Sequence, residues 1–292
     1  MLCALAAACA QIDNHRKGLE RIRKLGFHPS MVLDIGANEG HWTRSVKPVF
    51  PNAAFFMIEA TPVHEPSLKQ VGHPFEITLV GDANKTVMMH METRGALLKS
   101  ATGNSIYSEA AAGQGAFATR PRQMLRLDDL LAARNQPPAQ LMKLDVQGAE
   151  LDVLAGAPNT LASVEVIVVE VLVVAWNTGG PLWFEVHAEL ERLGYQLFDV
   201  LEMARGGTGM LLFVDLLFVR KDSKLWSKHA TGIPAPSHGW PQTVGCTTDR
   251  APGRRSNRVK PRERPVEQAS QVAPRKHRPG EGGISFDARR VA

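Results

Sequence analysis

Cysteine is scarce: Cys3, Cys9 and Cys246 are the only three in 292 residues. None pairs as C-x-x-C and none lies near a histidine at zinc-finger spacing, so neither a dithiol motif nor a cysteine-held zinc module is read. Sparse cysteine fits a reducing compartment, and a cytoplasmic location is expected. Long apolar runs are missing too. The best candidate, Val164 to Trp176, contains Glu165 and Glu170 and falls short of the ~18–20 apolar residues of a membrane span. The start, Met1 to Ala10, is apolar but has no basic residue ahead of it and is short for a signal peptide with its cleavage site. It reads as the beginning of a helix running to about Lys24; the alternative is a lipoprotein signal ending at Cys9. His41, His64, His73, His90 and His187 show no H-x-x-x-H spacing, so no metal site is expected.

A net excess of positive charge is absent from most of the chain. The total is +5, but 12 of the 34 Lys/Arg and only 5 of the 29 Asp/Glu lie from His229 onward. The preceding residues carry 22 basic and 24 acidic groups, which speaks against nucleic acid as the main partner. From about Ser223, Pro, Gly, Arg and Ser dominate, and such a segment cannot bury enough apolar surface to offset its ordering entropy. Three parts are therefore expected: an N-terminal helical segment (1–28), a folded domain (29–222) and a basic disordered tail (223–292). The tail is the one part suited to a nucleic-acid-binding arm. Oligomeric state is not readable.

The middle of the chain alternates strands and helices. Met31–Ile35, Ala53–Glu59, Phe75–Val80, Leu141–Val146 and Val164–Leu172 read as strands, the last rich in β-branched residues. His41–Phe50, Glu65–Val71, Leu127–Arg134, Gly148–Gly156 and Pro181–Leu193 read as helices, with Gly194 as a C-cap. Tyr195–Glu202 and Leu211–Arg220 read as two strands joined by a turn at Arg205-Gly206-Gly207. Val87–Glu92 is a candidate strand, and about Lys99 to Thr119 is a Gly/Ala/Ser-rich loop. Alternation with a final hairpin predicts a doubly wound, mostly parallel α/β sheet with one antiparallel strand.

Two constellations carry the chemistry. In the first, the strand Val32-Leu33-Asp34-Ile35 ends in the turn Gly36-Ala37-Asn38-Glu39-Gly40, which leads into a helix. Glycines allow close backbone approach to a ligand, and open α/β sheets bind ligands in the crevice at the carboxyl ends of their strands. Asp34 can accept a hydrogen bond from an ammonium group or organise the loop. Gly36-x-x-x-Gly40 lacks the third glycine of a dinucleotide fingerprint. Glu59 ends the second strand 23 residues after Gly36, near the ~20 expected of an acid that accepts ribose hydroxyls. The second constellation is Lys143-Leu144-Asp145-Val146-Gln147-Gly148-Ala149-Glu150. Asp145 faces the crevice and can orient or deprotonate a substrate hydroxyl. Glu150 is read either as a site residue or as charge compensation at a helix N-terminus. Glu170, inside an apolar strand, needs a partner or a function. His187, on the late helix, is a candidate base, although Phe184 and Leu190 fit a packing face equally well. Trp176 and Trp183 flank a Gly-Gly-Pro loop and can stack on a sugar or pack as a lid.

The strings VLDIGANEG, KLDVQGAELDVLAGA, TGNSIYSEA and DLLFVR together resemble the FkbM-type methyltransferases over roughly Gly18 to Lys221. The resemblance implies a class I S-adenosylmethionine (SAM)-dependent fold and a seven-stranded sheet with an antiparallel insertion. It also implies O-methylation of a sugar, glycan, glycolipid or secondary-metabolite hydroxyl. Carried over residue by residue, Asp34, Gly36, Asn38 and Gly40 would line the amino-acid end of SAM. Glu59 would hold its ribose and Asp82 would lie near its adenine. Asp145 and Glu150 match the second motif; Asn104, Ser105 and Tyr107 match the segment that approaches the substrate. Two positions depart from the pattern: Ala60 stands where Pro is common, and Gln147 where Glu is frequent. The competing readings are a nicotinamide-dependent oxidoreductase and a non-catalytic binding protein that kept the fold.

Overall fold

The computed structural model describes residues 14–92, 104–109, 117–175 and 177–229, all within the first of two units into which the chain divides, Met1–Ile233. The expected apolar start, Trp176 and the basic tail from 230 onward lie outside the described residues. The first half runs α1 (14–24), β1 (Met31–Ile35), α2 (His41–Val46), β2 (Ala54–Glu59), a 3-10 turn (Pro62–His64), α3 (Glu65–Val71), β3 (Phe75–Ile77), β4 (Leu79–Gly81) and β5 (Lys85–Glu92). After β6 (Ser108–Glu109) come β7 (Phe117–Arg126), α4 (Leu127–Ala133), β8 (Leu141–Leu144), α5 (Glu150–Ala155) and α6 (Pro158–Leu161). The remainder is β9 (Val166–Leu172), β10 (Asn177–Thr178), α7 (Trp183–Arg192), β11 (Tyr195–Arg205), β12 (Leu211–Arg220) and α8 (Leu225–His229).

Seven strands form the main sheet in the order β11-β12-β9-β8-β1-β2-β3. β12 is antiparallel to both neighbours and the other pairings are parallel. β1 and β8 are buried throughout, as expected of parallel strands covered on both faces. Alternation along each strand sorts side chains to two layers. Leu33, Leu144 and Val169 pack under α4, α5 and α7 through Leu130, Val153, Val186 and Leu190. Val32, Leu141, Val168 and Leu217 pack under α1, α2 and α8 through Leu19, Ile22, Val46 and Leu225.

Three boundaries differ from expectation. The third strand breaks at Thr78, whose N–H bonds the Glu59 carbonyl at 2.9 Å. β3 stays in the main sheet, whereas β4 leaves it to join a second, three-stranded sheet ordered β4-β7-β5. The N-terminal segment is part of the domain, because Leu19 and Ile22 of α1 are fully buried against the sheet. The fold also continues past residue 222: Leu225 is buried and the Trp226 ring meets Phe198 edge-on at 5.1 Å. No helix among the described residues is long and apolar enough to cross a membrane.

Tyr195 fastens the start of β11 to the α6–β9 connection. Its buried hydroxyl, 2.8 Å from the Val164 carbonyl and 3.1 Å from that of Leu161, donates to this pair. Tyr195→Phe should cost about 1–1.5 kcal/mol and lower Tm by roughly 2–6 °C in a thermal melt. An unchanged Tm would mean these carbonyls need no donor.

Candidate active site

The turn after β1 is built by backbone constraints. Gly36 adopts φ +78°, and a Cβ there would lie 1.8 Å from the carbonyl oxygen of Asp145. Only glycine lets the β1 and β8 turns come this close. Glu59, buried at the end of β2, accepts the Asn38 N–H at 2.8 Å on one oxygen and the Thr61 N–H at 2.7 Å on the other. Each oxygen keeps a second lone pair for an incoming hydroxyl. Asp34 is fully buried and accepts the Thr43 hydroxyl at 2.7 Å on Oδ2. Its Oδ1 has no hydrogen-bond donor among the described residues and meets charge only from the Lys143 ammonium, 3.5 Å away. A carboxylate with spare acceptor capacity, a backbone cradle and an acid poised for paired hydroxyls together suit an aminoacyl nucleoside such as SAM.

Lys143 joins the two turns. It faces Asp34 in register across β1 and β8. Its Nζ donates to the Gly36 carbonyl at 3.1 Å, pairs with Asp145 Oδ2 at 3.1 Å and sits 6.0 Å from the centre of the Trp42 ring. Burial works against its charge, but the Asp145 and Asp34 carboxylates outweigh it and raise the pKa above the ordinary lysine range. The residue is a fixed ammonium. Asp145 is held from the other side by Gln147, whose Nε2 donates to Asp145 Oδ1 at 3.1 Å and to Glu170 Oε1 at 2.8 Å. Glu170 is pushed well above the usual carboxylate range by burial and then by the charges of Asp145 and Asp215. Its charged form is disfavoured beside Asp145, the carboxylate that has the Lys143 ammonium next to it.

The segment matched to the substrate side is brought across the same crevice. Ser105 Oγ donates to the Gln147 carbonyl at 2.6 Å, and Asn177 Nδ2 donates to that carbonyl at 2.8 Å. Asn104 Nδ2 donates to Thr61 Oγ1 at 3.1 Å, which links this segment to the Glu59 turn. Tyr107 donates to Asp152 at 3.2 Å; burial, reinforced by the Asp152 charge, pushes its phenol up to about 12.

One expected residue stands away from the crevice, and another sits on a different sheet from the one expected. His187 does not face the crevice. Its ring packs edge-on at 5.5 Å against Phe218, which is in register with Ile167 near the start of β9, at the opposite end of the strands. Of the two residues read as its packing face, Leu190 is buried and Phe184 is exposed. Asp82 follows the small-sheet strand β4, not a main-sheet strand, and pairs with Lys85 at 2.6 Å. Lys143, Gln147 and Asn177 were missed as site residues, although the first two lie inside the quoted second motif. No group of three or more His, Cys, Asp or Glu among the described residues is arranged to hold a metal.

The sheet order, the antiparallel β12 and a crevice built on Asp34, Gly36, Glu59 and Asp145 define a class I methyltransferase fold. Residues 34–197 match the methyltransferase FkbM domain family. The chain therefore belongs to this family: it is a methyltransferase with SAM as its cofactor, and the nicotinamide reading falls. No curated protein matches it by sequence. Among solved structures it is similar to the N-methyltransferase NodS of Bradyrhizobium japonicum WM9, at TM-score 0.41 and 11% identity, over 71% of this chain and 86% of that one. It is also similar to precorrin-6y C5,15-methyltransferase of Geobacter metallireducens GS-15, at TM-score 0.39 and 13% identity, over 71% and 87%. An O-methyltransferase family protein of Burkholderia thailandensis gives TM-score 0.37 and 11% identity, over 73% and 58%. The family assignment rests on the matched segment and the fold on the sheet order.

Glu150 supplies a test of the site's electrostatics. Its buried carboxyl accepts the Gly148 N–H at 3.0 Å, and burial pushes it up to about 7. Between roughly pH 4.5 and 7 the unfolded chain has released this proton while the folded chain still holds it, so this group's contribution to stability falls as pH rises. Glu150→Gln, which keeps the accepting oxygen, should match wild type near pH 4.5 and exceed its Tm by several degrees at pH 8. Parallel Tm–pH curves for the two proteins would show that Glu150 is not held protonated.

Proposed function

We propose that this methyltransferase O-methylates a hydroxyl of a neutral polyol, meaning a sugar, glycan, glycolipid or comparable secondary metabolite. The observation that carries the reading is the chemistry around Asp145. The rim is made of the amide and hydroxyl groups of Asn104, Ser105, Tyr107 and Asn177. Carboxyl groups stand behind it at Asp145, Glu150, Asp152 and Glu170. Such a lining suits hydroxyls, and the residues before His229 carry 22 basic and 24 acidic groups, which argues for a small-molecule or glycan acceptor over nucleic acid. Trp183 and Phe184, both exposed, begin the helix that follows this loop and offer aromatic faces to a sugar ring. The scarcity of cysteine supports a cytoplasmic setting.

Asp34 would accept from the cofactor's ammonium group, Asn38 and Gly40 would shape the turn beside it, and Glu59 would accept from the ribose hydroxyls. SAM bound there supplies an already activated methyl group on its sulfonium. The work left to the protein is positioning. Asp145, fixed between Lys143 and Gln147, would accept the hydrogen bond of the acceptor hydroxyl and take its proton as the oxygen is methylated.

Asp145→Asn should leave SAM affinity within about twofold of wild type, because the Asp145 side chain reaches the cofactor turn only through Lys143, and should lower turnover by roughly 10²-fold. The assay is transfer of a labelled methyl group from SAM to a panel of sugars, glycolipids and their amine analogues. Labelled methyl ethers made by wild type and lost in Asp145→Asn are the expected result. Labelled methylamines alone, or full activity in the variant, would contradict it.

A further inference from the structure

Three buried side chains from three separate segments grip a single peptide group, the one between Gln147 and Gly148. Its carbonyl accepts the Ser105 hydroxyl at 2.6 Å and the Asn177 amide at 2.8 Å. Its N–H donates to the Glu150 carboxyl at 3.0 Å. Ser105, Asn177 and Glu150 are all buried. Gln147 adopts φ +53° and Gly148 φ +103°, and a residue other than glycine stays in the left-handed region only where its surroundings hold it there. Two of the holders are themselves fixed from outside the turn. Ser105 exchanges backbone hydrogen bonds with His90 of β5, at 2.8 and 3.2 Å, and its Oγ accepts the Tyr107 N–H at 3.0 Å. Asn177 belongs to β10, which pairs antiparallel with β6 just beyond Ser105 in the chain. Glycine at 148 keeps the approach open: a Cβ there would lie 3.3 Å from the Tyr107 ring and 3.4 Å from Asn177 Nδ2.

We propose that Ser105 and Asn177 are positioning residues for Asp145, acting through the backbone of Gln147. By clamping the Gln147–Gly148 peptide they hold Gln147 left-handed, and that backbone fixes the direction in which its side chain leaves the chain. The amide is thereby aimed, with Nε2 donating to Asp145 Oδ1 at 3.1 Å and to Glu170 Oε1 at 2.8 Å. The Lys143 ammonium meets the other Asp145 oxygen at 3.1 Å, so the plane of the carboxylate is set by two donors, one on each oxygen. With one donor to the Gln147 carbonyl removed, the left-handed residue relaxes toward the ordinary regions. The amide turns with it, and Asp145 keeps Lys143 alone. Ser105 lies in the segment that crosses the crevice and Asn177 in the loop after β9, so the orientation of Asp145 depends on both being seated. Glu150, which holds the N–H of the same peptide, has a positioning role of the same kind.

The inference rests on Asp145 facing the acceptor, and the test separates the two. The readout is the side-chain NH₂ of Gln147 by ¹⁵N–¹H NMR in the full-length protein, identified by its loss in Gln147→Ala. Wild type should show two separated proton signals that exchange with solvent at least about tenfold more slowly than a free glutamine amide. Asn177→Ala should bring both to free-amide positions. In the labelled-methyl assay, Asn177→Ala and Gln147→Ala should each lower kcat about tenfold with the KM for SAM unchanged. The double variant should fall no further than Gln147→Ala, because both changes remove one and the same contact. If Asn177→Ala fails to fold, Ser105→Ala removes the other donor and is read by the same signals and the same cycle. Ser105→Thr, which keeps the hydroxyl, should retain the wild-type signals. Unchanged Gln147 signals in the alanine variant, or losses in kcat that multiply in the double variant, overturn the inference. Full activity in Asp145→Asn, with Gln147 signals that still collapse in Asn177→Ala, overturns instead the reading of Asp145.

Discussion

The buried ammonium of Lys143 is the contact on which the rest of the site depends. Asp34 closes β1 and Asp145 follows β8, two neighbouring strands whose carboxyl ends meet at the crevice. Two carboxylates so close at the bottom of an α/β fold would repel. One cation between them, also bonded to the Gly36 carbonyl, converts the repulsion into a clamp. Removing one partner of such a buried arrangement costs about 3–5 kcal/mol, because the remaining charges are left uncompensated. The same ammonium touches the β1 turn through Gly36 and Asp34 and the β8 turn through Asp145, so under the proposed function both halves of the reaction are referenced to one point.

Around that clamp the protein separates its acids by environment. Burial raises Glu150 and Glu170 above the usual carboxylate range, whereas Asp145 has an ammonium beside it. Glu59 is satisfied by two backbone N–H groups before any ligand arrives. These four carboxyl groups thus sit in three different environments, with no metal-type cluster among the described residues. The segment 104–107 and Asn177 then converge on the Gln147 carbonyl. The acceptor rim is thereby tied to the residue that holds Asp145 and Glu170.

Much of this was legible in the sequence where the signal is local. The β1 turn, Glu59 and the Asp145 turn are strand-turn-helix features whose spacing is fixed by the chain itself, and the structure puts them together. The mostly parallel sheet with one antiparallel strand followed from alternation and the final hairpin. What was not legible depends on register between distant strands. Lys143 in Leu141–Leu144 looks like a polar interruption until β1 is laid beside it and Asp34 appears opposite. Asp215 looks like one acid in an apolar strand until it faces Glu170. His15 looks like a helix residue ahead of the domain until α1 packs on the sheet. The break at Thr78 escaped because Phe75–Val80 is continuous in hydropathy and changes sheet without changing composition. His187 was misplaced because a helical position fixes which face a side chain shares, not which end of the strands it reaches.

The most direct measurement is the calorimetric affinity of SAM for wild type and for folded Lys143→Met. Lys143 contacts no acceptor-rim residue directly, yet it holds the carbonyl of Gly36 and the carboxylate of Asp34. The account predicts that wild type binds SAM and that Lys143→Met, with circular dichroism like wild type, binds at least about tenfold more weakly, the loss expected when a charge-assisted hydrogen bond no longer shapes the cofactor turn. Equal affinity in the two proteins would contradict it and would make Lys143 a packing residue.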